Sequence, residues 1–158
     1  MDAPKGFRPE LLAPLLRDLA SDGTVAEMTI HGTSMHPTLL DGDRIQLAPA
    51  TAAETRIGDI VMRTGGTGPI IHRLVGWWPA RNGWRLLTKG DNARRLDVPL
   101  SPDDLVGRVV ARVRGGELRQ LDGVKMRLCG RTRAAASFVE GIIVEVWDRM
   151  RRAERRQA

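Results

Sequence analysis

Residues 27–47 read EMTIHGTSMHPTLLDGDRIQL, and the two ends of this stretch differ in kind from its middle. Glu27–His31 and Arg44–Leu47 alternate polar and apolar residues, the period-2 pattern of strands with one buried face. Between them lie Gly32, Pro37 and the Asp41-Gly42 pair, which punctuate the chain too densely for a helix to pass through. The stretch therefore predicts two strands joined by a tight, polar loop, and that loop carries Ser34.

The same grammar continues outward. Short apolar runs at Asp59–Met62, Ile70–Val75, Arg85–Thr88, Val106–Val113 and Leu118–Leu121 are separated by the turn signals Gly65-Gly66, Asn82-Gly83 and Gly115-Gly116. Seven short strands over residues 25–121 predict a compact, antiparallel β body. The flanks read differently. Residues 1–24 place Leu11, Leu12, Leu15, Leu16 and Leu19 on one helical face, with Pro14 delaying or kinking the helix. Residues 122–158 contain Phe138, Val139, Ile142, Ile143, Val146, Trp147 and Met150 at helical spacing, with charges on the opposite face. Gly141 falls within this helix and weakens it. The expected fold class is mainly β (α+β), a β body between an N-terminal helical segment and a basic C-terminal helix.

The 158 residues suit one core, and 42% hydrophobic with 28% charged residues is a globular composition. No apolar run approaches the roughly 20 residues of a bilayer-spanning helix, and the N-terminus lacks the apolar centre of a secretion signal. The expectation is a cytoplasmic chain. Most of the net charge of +6 comes from the C-terminal region, where nine basic residues face four acidic ones from Val124 onward. That helix has three readings: packing on its own β body, binding a protein partner, or lying peripherally on a membrane surface. Glu140, Glu145 and Asp148 weigh against anionic lipid, and no specific nucleic-acid partner is expected. With one cysteine and histidines only at 31, 36 and 72, the chain lacks the usual spacing of zinc ligands, and no cofactor is called for.

Chemistry is concentrated at three places. Ser34 stands where a strand ends, but a serine hydroxyl needs a base to take its proton. His72 lies in the apolar run Ile70-Ile71-His72-Arg73-Leu74-Val75, where a histidine can serve as that base or can simply bond a carbonyl. Asp91 and Asp97, in the polar loop after Thr88-Lys89-Gly90, are both able to orient an imidazole; Asp91 reads equally as a turn former, and Asp97, before Val98-Pro99, as a solvent-facing loop carboxylate.

Together these stretches resemble the signal peptidase I family, in the group of serine proteases that also contains the self-cleaving LexA-type repressors. Gly32-Thr33-Ser34-Met35-His36-Pro37-Thr38-Leu39 with Gly42-Asp43 is similar to the family's nucleophile box. Gly58-Asp59-Ile60-Val61 is similar to the next, Ile71-His72-Arg73-Leu74-Val75-Gly76 to the one bearing the base, and Thr88-Lys89-Gly90-Asp91-Asn92 through Asp97, with Val106-Gly107-Arg108-Val109, to the last. The resemblance covers about residues 25–113. Bacterial members and the repressors have a lysine where His72 stands, so the likeness is to the Ser-His-Asp type of the endoplasmic reticulum and archaea. It implies Ser34 as nucleophile, His72 as base and Asp97 as orienter. Asp91 is the supporting or alternative acid, and Lys89 is not proposed as base. The backbone of Ser34 with Thr33 would bind the oxyanion, and Met35 and Ile71 would line a pocket for a small residue before the scissile bond.

The implied function is a soluble serine endopeptidase acting on a polypeptide bound as an extended strand, such as a leader or propeptide. A non-catalytic peptide-binding module and a LexA-like self-cleaving regulator are the alternatives. The regulator ranks last, because no helix-turn-helix of adequate length precedes the β body.

Overall fold

A computed structural model describes residues 14, 25–64, 69–122 and 124–157. The leucine-rich segment read at 1–24 and the turn read at Gly65-Gly66 fall almost wholly outside the described residues. The remainder forms seven strands: β1 (Ala26–Thr29), β2 (Arg44–Pro49), β3 (Ile60–Arg63), β4 (Ile70–Ala80), β5 (Gly83–Lys89), β6 (Leu105–Arg114) and β7 (Glu117–Gln120). One helix, α1 (Val124–Gln157), follows. The strands make one sheet in the order β1-β2-β6-β3-β4-β5, with β7 paired to β6, and every pairing is antiparallel. The expected mainly β body with a C-terminal helix is present.

The central strand explains the layering. β3 sits between β4 and β6, and its side chains enter core clusters on both faces of the sheet, so Ile60-Val61-Met62 is apolar throughout rather than alternating. Ile60 and Met62 enter one core cluster with Met35, Leu39, Ile45, Leu47, Val106 and Val109. Val61, pointing the other way, joins Leu74, Leu86 and Leu105.

β4 is longer than the sequence suggests, because Gly76-Trp77-Trp78-Pro79 breaks the alternation. It continues as a two-stranded ribbon with β5, from Arg73 opposite Lys89 to Ala80 opposite Gly83. Pro79 is tolerated because β3 pairs only as far as Arg73, leaving that edge with no ladder bond for a proline to break.

α1 lies on its own β body. Ala134 packs with Val75 and Leu87, beside Leu96 and Phe138. Two glycines set the closeness: a Cβ on Gly130 would come 2.6 Å from the Gly58 carbonyl oxygen, and one on Gly141 would come 2.8 Å from Leu96 Cγ. Gly141, read as a helix weakener, is therefore a contact point. The bulky stripe faces outward: Val139, Ile142, Ile143, Val146 and Trp147 are each 41–58% exposed. Among the described residues, no helix is long and apolar enough to cross a membrane.

Candidate active site

The loop between β1 and β2 is fastened at both ends. Ile30 N donates to the Asp43 carbonyl at 2.9 Å, Gly42 N to the Ile30 carbonyl at 3.0 Å, and Gly32 N to Asp41 Oδ1 at 2.8 Å. Asp43 is buried and takes both Nε and Nη2 of Arg114, at 2.8 and 2.7 Å. These Arg114 bonds hold its carboxyl below the usual carboxylate range, aided by the Leu40 N–H and opposed by burial.

Within the loop, Leu39 N bonds the Met35 carbonyl at 3.0 Å, so Met35 and Leu39 lie one helical turn apart on the same side. Both are pressed into the core, Met35 at 4% and Leu39 at 0% exposure. Met35, read as a pocket wall, is thus a core residue, and Ile71 packs half-buried against the same cluster. Ser34, one residue earlier, is left exposed at the surface.

β4 brings His72 to this serine. His72 Nε2 is 3.1 Å from Ser34 Oγ, and His72 Nδ1 is 2.6 Å from Asp97 Oδ2. Asp97 comes from the loop after β5, where its N–H bonds the Thr88 carbonyl at 2.9 Å. Thr88 Oγ1 donates to Asp97 Oδ2 at 2.6 Å, and Arg63 Nη2 lies 3.7 Å away. Burial acts to raise the pKa of Asp97, but the bonds from His72 and Thr88, with the charges of His72 and Arg63, outweigh it and hold the pKa below its ordinary value. An ionised Asp97 can only accept, so it fixes the imidazole proton on Nδ1 and leaves the Nε2 lone pair directed at Ser34 Oγ.

Asp91, the other candidate orienter, is placed elsewhere. Its carboxylate receives Arg73 Nε and Nη2, each at 2.7 Å, and the hydroxyl of Thr38. Arg73 also reaches the Gly58 carbonyl at 2.6 Å. The Arg73 and Asp91 side chains are 4% and 3% exposed, so Asp91 belongs to a buried ion pair rather than to the imidazole. Lys89 is also remote from Ser34 in its bonding: it is fully buried, with Nζ 3.2 Å from Ser137 Oγ and 3.0 Å from Glu140 Oε2. That pair attaches α1 to the end of β5.

Four participants escaped the sequence reading. Thr88 and Arg63 complete the surroundings of Asp97. Asn92 N donates to the Ser34 carbonyl at 2.8 Å, and its side chain reaches the Thr33 carbonyl at 3.3 Å. Gly90 lets the two segments touch: a Cβ there would lie 2.6 Å from Ser34 O and 3.1 Å from both His72 Nε2 and Ser34 Cβ. A Gly-Asp-Asn turn is the only trace these contacts leave in the sequence, and it does not say what the turn packs against.

No family model matches the chain. It is 34% identical over 103 residues to the catalytic subunit of the signal peptidase complex of Sclerotinia sclerotiorum, an alignment covering 58% of this chain and 60% of that protein. The chain thus spans about three fifths of the length of this relative, and the match supports a signal peptidase I-like relationship.

Proposed function

We propose that this chain is a serine endopeptidase in which Ser34 is the nucleophile, His72 the general base and Asp97 the residue that orients His72. The observation that carries the reading is the unbroken hydrogen-bonded relay from Ser34 Oγ through the imidazole to Asp97 Oδ2. In this mechanism Ser34 Oγ attacks the scissile carbonyl carbon while His72 Nε2 takes the hydroxyl proton. Asp97 stabilises the imidazolium formed, and the Ser34 N–H, with Thr33 beside it, faces the oxyanion. His72 then passes its proton to the leaving amine. Water, deprotonated by the same nitrogen, hydrolyses the acyl-enzyme.

The substrate is an extended polypeptide. What supports this is the open edge beside the base: β5 pairs with β4 only from Arg73 onward, while Ile70–Arg73 pairs with β3 on the other side. Among the described residues, Ile70, Ile71 and His72 thus have no strand on their β5 side, and a peptide can add there by backbone bonds. A small residue before the scissile bond, and a leader or propeptide met in the cytoplasm, complete the proposal. The outward stripe of α1, with Arg151 stacked 5.7 Å from the Trp147 ring, is the surface we assign to a membrane or protein partner. Loss of liposome flotation on Trp147→Glu would assign it to the membrane.

The test is digestion of a diverse peptide pool read by mass spectrometry. Wild type should yield cuts after small residues, and Ser34→Ala should yield none while keeping its circular dichroism spectrum. Identical products from the two proteins would end the protease reading and leave a peptide-binding module.

A further inference from the structure

The backbone holds Asp97 to the sheet by little. Among the described residues between Ala93 and Leu100, the one backbone bond to β5 is from Asp97 N to the Thr88 carbonyl, at 2.9 Å. The next tie is the bridge from Leu100 to Leu86. Arg94, Arg95, Val98 and Pro99 are exposed, so their side chains add little packing. A segment with so few buried contacts and ladder bonds needs an anchor to keep one position. Leu96 is that anchor. It is half-buried against the cluster of Val75, Leu87 and Ala134, beside Phe138. The helix is cut away to receive it at Gly141, where a Cβ would come 2.8 Å from Leu96 Cγ.

The same side of α1 meets the start of this loop. Ser137 Oγ and Glu140 Oε2 lie 3.2 and 3.0 Å from Nζ of Lys89, the last residue of β5. Ser137, Gly141 and Asp148 fall at helical spacing that brings them to one side of α1, and Asp148 pairs with Arg95. That last pair is exposed on the Arg95 side and contributes little; the buried Lys89 and the seated Leu96 contribute the hold. α1 therefore grips the 90–96 loop at both ends. Asp97 is the next residue. Leu96 and Asp97 leave the chain on opposite sides, Leu96 toward α1 and Asp97 toward His72 Nδ1 at 2.6 Å. A displacement of Leu96 is thus passed directly to the carboxylate.

We propose that Leu96, seated in the Gly141 notch of α1, is a positioning residue for Asp97, and that α1 is by this contact part of the active site. The inference deepens the relay proposed above and rests on it.

Two variants disturb Leu96 in different ways. Leu96→Ala removes the anchor. Gly141→Ala fills the notch: carbon atoms rest about 3.5–4.0 Å apart, so the two elements must part by roughly 0.7–1.2 Å. Alanine favours a helix over glycine, so this variant does not act by unwinding α1. In the full-length protein, the His72 Nδ1 proton, donated to an ionised carboxylate, should give a low-field proton NMR resonance that His72→Gln removes. Both variants should shift it upfield or broaden it away while keeping the wild-type circular dichroism spectrum. On a peptide from the pool digest, Leu96→Ala should lower kcat by up to about 100-fold, the cost of a misplacement on the ångström scale, with KM little changed. In an Asp97→Asn background it should add no further loss, because both changes act through one carboxylate. An unmoved resonance in both folded variants, or an equal loss of kcat with and without Asp97, would overturn the proposal. The resonance needs no proteolysis: a wild type that cuts no peptide while its resonance still answers to Leu96 would end the protease reading and leave the positioning of Asp97 standing.

Discussion

On the proposed mechanism, alanine at position 90 should part Ser34 from His72 while leaving the Ser34, His72 and Asp97 side chains in the protein. Gly90 does not have a positive φ, so its backbone accepts alanine and the perturbation is steric alone. The new methyl would sit 2.6 Å from the Ser34 carbonyl oxygen and 3.1 Å from His72 Nε2. Ordinary carbon–oxygen approach is about 3.3 Å or more, so the Ser34 backbone and the 90–92 turn must part by roughly 0.7 Å, which that contact distance requires. That displacement weakens the Asn92 N to Ser34 O bond and lengthens the 3.1 Å contact between Ser34 Oγ and His72 Nε2.

Misplacement of reacting groups on this scale costs about 100-fold in rate, equivalent to about 2.7 kcal/mol of transition-state stabilisation. The overpacking itself should cost about 1–3 kcal/mol of stability. The assay is kcat/KM on a peptide recovered from the pool digest, alongside urea unfolding. Gly76→Ala is the control, because a Cβ there would meet Phe138 and Leu87 at 3.8–3.9 Å, ordinary contact distances. A folded Gly90→Ala protein with wild-type kcat/KM would refute the idea that contact between the 90–92 turn and Ser34 sets the reacting geometry.

Three further predictions test the surroundings of the relay. Asp97→Asn should keep the fold and lower cleavage by roughly 10³–10⁴-fold, as expected when the imidazole loses its proper tautomer. Because the folded-state pKa of Asp97 is depressed, its stabilisation is complete above the unfolded value of about 3.9. It is lost as pH falls through the lower folded value, so urea unfolding at descending pH should show a flatter acid limb in Asp97→Asn. Thr88→Val removes a fully buried donor to Asp97 Oδ2 and should cost about 1.5–3 kcal/mol, the range for bonds to charged groups, with kcat falling more than KM changes. Glu140→Ala should destabilise more than Lys89→Met, because it leaves a buried ammonium with only Ser137 Oγ; chemical denaturation of the two variants decides this, and Lys89→Met should still cleave.

The strands were legible because their turns are written locally. Asp41-Gly42, Asn82-Gly83 and Gly115-Gly116 carry positive φ at Gly42, Gly83, Gly115 and Gly116, the backbone states that make glycine necessary. The orientation of α1 was not legible, because apolar spacing marks a stripe without saying what covers it. Val139, Ile142, Ile143, Val146 and Trp147 form the evident stripe, yet the side turned to the sheet is built from Gly130, Ala134, Ser137, Phe138 and Gly141. Small residues allow close approach, and close approach, rather than bulk, determined which face was buried.

The two acids of the 90–97 loop show what sequence pattern alone leaves undecided and strand geometry resolves. His72 and Arg73 are adjacent on β4, so their side chains leave opposite faces of the sheet. Each then requires its own carboxylate, since a single one cannot serve both faces. Asp91, at the turn directly after β5, meets Arg73, and the hydrogen bonds of Thr38 and Gly58 complete a buried cluster there. Asp97 returns past Thr88 to the other face and meets His72. The Ser34 loop spans the division: Ser34 touches the His72 side and Thr38 the Arg73 side. The Arg73–Asp91 pair therefore braces the loop from one face while the imidazole addresses it from the other. Loss of Asp91 should act on Ser34 indirectly, through the position of its loop, and loss of Asp97 directly, through the proton on Nδ1.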